Sequence, residues 1–502
     1  MTEKPNADLM RKSIGKELEE NVRDLEQALN MPENEDIIFK KYRIADVDVC
    51  LVYIEGMADE KKIGEFVLHA LKNRRGDSQK AAACTNPMDF VLDNLELPQL
   101  QREDMLKQIV QRIVSGMTCL LVDGADEALM METRNYPHRA VDQPTNESVV
   151  SGAHEAFNEH LRTNISLVRR YVQSPDLISE KMMVGTKIPT QIAVLYLKGV
   201  VGKISLQEVR RRLKCITAGT VMGTGALQQL IEDCPFALLP QMLQTERPDR
   251  TASCLEDGQI AILVENSPYA LIAPVTIFHL VHASDDSFLR WQYGTALRII
   301  RMLGMLVSLT LPGIYIATTL YHSHLIPMPL LTSIAESRAN VPFPIIVEVL
   351  FMEFSFYLLN EAGLRTPSQI GSAFGIVGAL ILGQAAVSAS IISPILIIII
   401  ALTGLGNYVI PNYGFGIGLI VYRLFLTMMS AMMGLYGLVI GLFLIITRIC
   451  SIRSFGVDYL SPVAPHRRHN PDILLRLPVW MQKYAMFFAR RHNWINPEGD
   501  AL

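Results

Sequence analysis

Residues 424–447 read LFLTMMSAMMGLYGLVIGLFLIIT, a run without one charged side chain. It is about long enough to cross the hydrocarbon core of a bilayer as a helix. The same reading extends outward. From Met302 to Thr447 the only charged residues are Glu336, Arg338, Glu348, Glu353, Glu361, Arg365 and Arg423, and no lysine occurs between Lys214 and Lys483. Four segments in this region have the length and apolarity of a span: 302–321, 370–389, 391–410 and 424–447. Residues before Trp291 form an ordinary charged chain of mixed polarity. The pattern predicts an α/β soluble head followed by an α-helical polytopic membrane domain.

Arginine placement sets the orientation. Arg290, Arg298 and Arg301 precede the first span, and Arg448, Arg453, Arg467 and Arg468 follow the last. Both flanks are then cytosolic, and the number of crossings is even. Segment 341–360 is apolar but carries Pro342, Pro344, Glu348 and Glu353. It is read as a re-entrant or in-plane helix, leaving four crossings.

The chain has 502 residues and a net charge of −4, which gives no global sign of nucleic-acid binding. Residues 1–30 are polar and contain no apolar core of a secretory signal, so the first span is expected to direct insertion. The seven cysteines (Cys50, Cys84, Cys119, Cys215, Cys234, Cys254 and Cys450) form no C-x-x-C pair, which fits a reducing compartment. The expected division is a polar N-terminal flank (1–36), α/β subdomains at 37–147 and 148–283, a helical membrane domain at 284–450, and a cytosolic basic tail at 451–502.

The two subdomains are read as an internal repeat. Residues 49–56 (VCLVYIEG) match 192–199 (IAVLYLKG) at an offset of 143, aligning Tyr53 with Tyr196. Residues 119–129 (CLLVDGADEAL) match 261–271 (AILVENSPYAL) at an offset of 142. Each copy shows a β-branched strand, an amphipathic helix (60–72 or 205–215), a variable section and a further strand pair. Ser205 and Glu208 have capping-box spacing. The Asp123–Asp126 turn closes a hairpin between 118–122 and 127–133. A helix at 153–171 is expected to join the copies.

No motif in the head amounts to an enzyme signature, and no catalytic, cofactor or metal residue is assigned. Arg210–Arg212 reads as a solvated helix face, with anionic lipid or a partner as the alternative. His279 and His282 lack a third metal ligand. His322 and His324 suit an interfacial anchor, or a pH sensor, at the outer end of the first span. Asp123, Asp126, Glu127 and Glu132 lack calcium-loop spacing and read as turn chemistry.

Within the membrane region, Gly371/Gly375 and Gly437/Gly441 have G-x-x-x-G spacing, which lets helix backbones approach closely. Gly404, Gly406, Asn407 and Pro411 mark a hinge. Glu348, Glu353, Glu361 and Arg338 are the candidate pore or interface residues. A buried carboxylate at membrane depth costs at least about 2.5 kcal/mol. Glu348 and Glu353 lie about 140° apart on a helix. At least one should therefore face a water-filled or subunit interface, unless Arg338 or Arg365 neutralises them.

Several blocks carry a family resemblance: 123–137 (DGADEALMMETRNYP), 161–170 (LRTNISLVRR), 333–344 (SIAESRANVPFP), 361–367 (EAGLRTP), 383–387 (GQAAV) and 454–462 (SFGVDYLSP). Over residues 40–465 the chain resembles the GerA family, the A subunits of bacterial spore germination receptors, and most of all its stage V sporulation protein AF branch. The resemblance implies a multi-pass protein of the spore inner membrane, with head and tail facing the cytosol or spore core. It also implies a head engaged in germinant sensing and assembly, and a membrane domain that oligomerises into an ion channel. Implied partners are lipid, further copies of the chain and other germination membrane proteins. A non-conducting scaffold and a secondary transporter are the rival readings; the transporter should show an inverted repeat of its spans, whereas duplication is visible in the head alone.

Overall fold

In this computed structural model the described residues are 9–44, 47–69, 87–95, 99–135, 152–365 and 383–465, with the isolated positions 97, 144, 147, 149, 475, 476 and 478. Gly371 and Gly375, with residues 370–382 of the expected span 370–389, lie outside them. The chain forms two compact units. Of the described residues, those up to Glu232, with Met242–Pro274, make one; Asp233–Gln241, with those from Val275 onward, make the other.

Among the described residues, the first unit contains two five-stranded antiparallel sheets. The first comprises β1 (Ile37–Ile44), β2 (Val47–Ile54), β3 (Leu100–Glu103), β4 (Thr118–Val122) and β5 (Ala128–Met131), in the order β1-β2-β4-β5-β3. The second comprises β6 (Leu177–Val184), β7 (Thr190–Leu197), β8 (Leu243–Thr245), β9 (Ile260–Val264) and β10 (Ala270–Ala273), in the order β6-β7-β9-β10-β8. The order is the same. Tyr53 pairs with Ile38 and Tyr196 with Ile178.

The likeness extends to single hydrogen bonds. Asn21 accepts from the Gly15 amide (2.9 Å) and donates to the Gly15 carbonyl (2.6 Å). Asn164 makes the same two bonds to Asn158, at 2.9 and 2.6 Å. Each asparagine pins the approach to a helix, Leu18–Ala28 in one copy and Leu161–Tyr171 in the other. The Asp123 carboxylate accepts from the first helical amide, Leu18 (3.2 Å), and Glu265 accepts from Leu161 (3.0 Å). Both acids sit where a helix N-terminus favours negative charge.

These bonds revise the sequence reading. Residues 1–36 are not merely a polar flank: Leu18, Val22 and Leu25 are buried against Cys50, Val52, Ile109 and Leu121. Acidic and basic residues fill the outer face of that helix and hide its apolar stripe. The Leu161–Tyr171 helix is the second copy's own element, not a joint between copies. Asp123 is a helix cap rather than turn chemistry alone. The helix expected at 205–215 runs Lys203–Lys214 with Gly202 as its cap, so Ser205 and Glu208 form no capping box. Glu208 instead takes Arg211 and then Arg212, which hold its carboxyl down at about 2. Arg210 binds Glu180 beside Tyr196. That arginine run is consumed internally.

Asn21→Ala and Asn164→Ala each remove two part-buried side-chain-to-backbone hydrogen bonds, a loss of about 1–2 kcal/mol per site. Amide exchange of Leu18–Ala28 should rise in the first variant and that of Leu161–Tyr171 in the second, by similar factors. Clearly unequal responses would contradict the equivalence of the two sites.

The second unit is helical: Trp291–Leu320, Met328–Arg338, Ile345–Arg365, Pro394–Tyr408 and Tyr413–Ser451. Trp291–Leu320 and Tyr413–Ser451 are long and apolar enough to cross a membrane. The first of these starts at Trp291 rather than near Met302, because Arg298 and Arg301 are satisfied within it by buried Asp286; Arg301 binds that carboxylate at 2.6 and 2.7 Å.

Residues 424–447 do not form a single straight helix. Gly434 has φ 61° and ψ −140°, a conformation essentially reserved for glycine. A Cβ on Gly437 would collide with the Met429 carbonyl, and one on Gly441 would stand 2.7 Å from Leu426. In a straight helix positions 429 and 437 would be about 12 Å apart. The chain therefore folds back at Gly434 into a hairpin with arms 413–433 and 435–451. Gly437 and Gly441 are packing positions, serving this intramolecular contact.

Segment 341–360 is helical, as expected. Its helix, Ile345–Arg365, lies alongside Pro394–Tyr408 and in the same direction. Glu348 accepts from the Ser393 amide at one end (3.2 Å), and Tyr408 donates to Asn360 at the other (2.9 Å). The hinge narrows to 409–412. Gly404 and Gly406 lie within the Pro394–Tyr408 helix, Gly404 against Phe356 and Gly406 where a Cβ would be 2.5 Å from the Gly304 carbonyl. Asn407 is helical too, while Pro411 lies in the break. Asn412 caps the next helix by accepting from Phe415 (2.8 Å). The expected basic tail opens as a folded hairpin, β11 (Arg453–Ser454) with β12 (Val457–Asp458), whose Phe455 and Tyr459 are buried.

Candidate functional site

The Ile345–Arg365 helix brings the two carboxylates to opposite sides of its axis. Both are inside the fold: Glu348 is 2% exposed and Glu353 is 9% exposed. Arg338 donates to Glu348 at 3.0 Å, and the Ser393 amide holds its other oxygen. Glu353 pairs with Arg423 at 3.2 Å, at ion-pair distance though not aligned for a hydrogen bond. Arg423 also donates to Ser308 (3.3 Å), so this chain of charges ties Ile345–Arg365 to the hairpin and to the first long helix. The 140° separation holds, yet neither acid faces solvent, because protein packs on both sides of the helix.

Arg423 is the partner that sequence reasoning missed. The sequence analysis gave it no role beyond its place among the few charged residues of 302–447, although an arginine isolated in an apolar run calls for an acidic partner. Around it, Asn407 Oδ1, Thr427 Oγ1 and Ser430 Oγ are buried without a hydrogen-bond partner among the described residues. A cavity of about 10 Å³, lined by Phe356, Asn360, Gly404, Asn407, Tyr408 and Arg423, opens beside the pair. That is room for about one water, which Arg423 and Asn407 are placed to hold. The arrangement locks charges and positions water; it presents no nucleophile. Glu361 is half-buried further along the same helix.

In the first unit, a cleft of about 390 Å³ is lined by Glu55, Leu161, Arg162, Lys181, Gln191 and Glu265. Arg162 (2.5 Å) and Lys181 hold Glu55 there. A cleft of about 370 Å³ occupies the matching place in the first copy, with Leu18, Glu19, Lys41, Asp48 and Asp123. His279 serves as a helix cap, bonded to Thr276 Oγ1 (2.8 Å), and His322 stands beside Gly434 and Tyr436. Burial pushes the Cys50 thiol up to about 11 and that of Cys254 up to about 12, which makes both unreactive.

The sequence profile described as "Bacillus/Clostridium GerA spore germination protein" matches residues 23–486. The chain belongs to the GerA family. Its relatives include spore germination protein KA of Bacillus subtilis (strain 168), 37% identical over 89% of this chain and 82% of that protein. Spore germination protein B1 of the same organism is 33% identical over 97% of this chain and 99% of its own length. The N-terminal domain of the A subunit of the Bacillus megaterium spore germinant receptor GerK3 aligns with 52% of this chain and 96% of its own. That alignment has 28% identity and a TM-score of 0.42. GerA membership assigns the chain to spore germination.

Proposed function

We propose that this GerA protein is a non-enzymatic, multi-pass membrane subunit of a spore germination complex, and that copies of it assemble into a channel releasing small cations. The observation that carries this reading is an inverted polarity in the helical unit. Leu303, Leu306, Phe354, Leu405, Met432, Tyr436, Val439 and Phe443 face outward, while Glu348, Glu353, Arg423, Ser308 and Thr427 are buried. Apolar atoms outside and paired charges inside suit lipid as the solvent. Trp291–Leu320, Ile345–Arg365, the expected span 370–389, Pro394–Tyr408 and the two hairpin arms are the proposed traverses, an even number that returns the chain to its starting side. The site is the spore inner membrane, with head and tail toward the cytosol or spore core. Lipid, further copies and other germination membrane proteins are the partners.

Because both buried acids are paired within one copy, the cation path in this reading runs along contacts between copies. The same pairing favours, as the second reading, a scaffold whose partner conducts. Recording from the purified chain in planar bilayers separates them. Stepwise, cation-selective currents are the expected result. An oligomer that inserts and stays silent would leave the scaffold.

A further inference from the structure

The two copies in the first unit differ in one connection. Five residues lead from the helix ending at Asn94 to β3, whereas eleven lead from the helix ending at Ile231 to β8. Most of the longer connection, the segment Asp233–Gln241, belongs by its contacts to the helical unit. Gln241, fully buried, closes the segment on itself by accepting from the Cys234 amide (2.9 Å) and donating to the Cys234 carbonyl (2.7 Å).

This closed arm grips both ends of the Gly434 hairpin. At the beginning of the first arm, a Cβ on Gly418 would stand 2.5 Å from the Leu238 carbonyl, and Gly414 faces Pro240. At the end of the second, Tyr459 donates to the Pro240 carbonyl (2.8 Å) and Ser454 to the Gln241 carbonyl (2.7 Å). Asp233 accepts from the Phe455 amide (2.7 Å), and Arg448 reaches Cys234 Sγ at 3.6 Å. Ser454 also accepts from Val275 (3.0 Å), where the chain re-enters the helical unit after the second sheet.

We propose that Asp233–Gln241 is a transmission arm through which a displacement of the second α/β copy moves the hairpin of the helical unit. Both arms of the hairpin converge on one short rigid loop, and that loop is covalently tied at each end to the second copy. A shift of β8 or of the Gly223–Ile231 helix therefore pulls on both hairpin ends together. The first copy, with its short connection, has no equivalent. Directional bonds to fixed backbone atoms, rather than apolar contact alone, define two discrete states, docked and displaced. The inference rests on the membrane-subunit reading and adds its internal coupling.

The test uses spores whose only copy is the full chain carrying Cys84→Ser, Cys215→Ser and Cys450→Ser. Cys50, Cys119 and Cys254 are buried, so Cys234 becomes the reporting thiol. Maleimide labelling of Cys234 in isolated membranes measures docking, and germination rate at matched abundance measures coupling. In one variant, two glycines are inserted after Glu232 and two after Gln241, slackening the tethers while sparing the contacts. Labelling should stay at the parental rate while germination slows at least about tenfold, since a slack tether removes the differential strain a ligand must exploit. In a second variant, Ser454→Ala with Tyr459→Phe, labelling should rise about tenfold, the factor that one or two ordinary hydrogen bonds supply, and germination should slow again. Unchanged germination in either variant overturns the proposal. Cation release is followed in parallel. If the parent germinates without it, the conduction reading fails while the arm is still judged on germination rate.

Discussion

Arg423→Met should strip most of the folded protein from the membrane fraction. The substitution leaves the Glu353 carboxylate buried with no cation beside it, and an uncompensated buried charge costs about 3–5 kcal/mol. That is a large part of the stability of an ordinary domain. Glu353→Gln should cost less, because Arg423 keeps Ser308 and the small cavity has room for a water. The pair Glu353→Met/Arg423→Met should recover most of the loss, since well-packed apolar side chains replace a buried ion pair nearly without penalty. Abundance and thermal unfolding in mild detergent read all three. If Arg423→Met unfolds at the same temperature as the parent, the pair is not what holds these three helices together.

A second large effect is expected in the first unit at Arg169 and Asp36, each 1% exposed. Arg169 binds both Asp36 oxygens, one at 2.6 Å, and also reaches Asn34 (2.7 Å) and the Leu177 carbonyl (3.3 Å). Asn34 in turn accepts from Ser179 (3.2 Å). The residues leading into β1 are thus bolted to the first strand of the other sheet. Arg169→Met should cost about 3–5 kcal/mol for the stranded carboxylate. Because the bolt joins the copies, amide exchange should accelerate across both sheets. Acceleration confined to β6–β10 would show that the copies open independently.

The duplication was legible because strand patterning repeats in two separate places at offsets of 143 and 142, and the strand orders around Tyr53 and Tyr196 are the same. The Leu18–Ala28 helix was not, since its apolar residues are diluted by Glu19, Glu20, Arg23, Asp24 and Glu26 on the outer face. Sequence spacing placed Glu348 and Glu353 on different sides of a helix correctly. The alternative left open, neutralisation by an arginine, is met at Glu348 by Arg338, while at Glu353 the partner is Arg423, which the sequence reading did not name. Gly434 was hidden among neighbouring glycines in an apolar run, where composition cannot tell a reversal from close packing. Only its positive φ, and the approach of Met429 to Gly437, make the fold-back visible.

The unequal connections of the two copies have an evolutionary consequence. Fusing two copies of one unit supplies redundancy: while one copy keeps the short link that closes its sheet, the other is released to accept added residues. The added residues fall between a helix and the edge strand β8, where lengthening the chain shifts no strand register and opens no core. New contacts could therefore be tried at this position without risking the ancestral fold. A loop lengthened at this position leaves the registers and core of the sheet as they are.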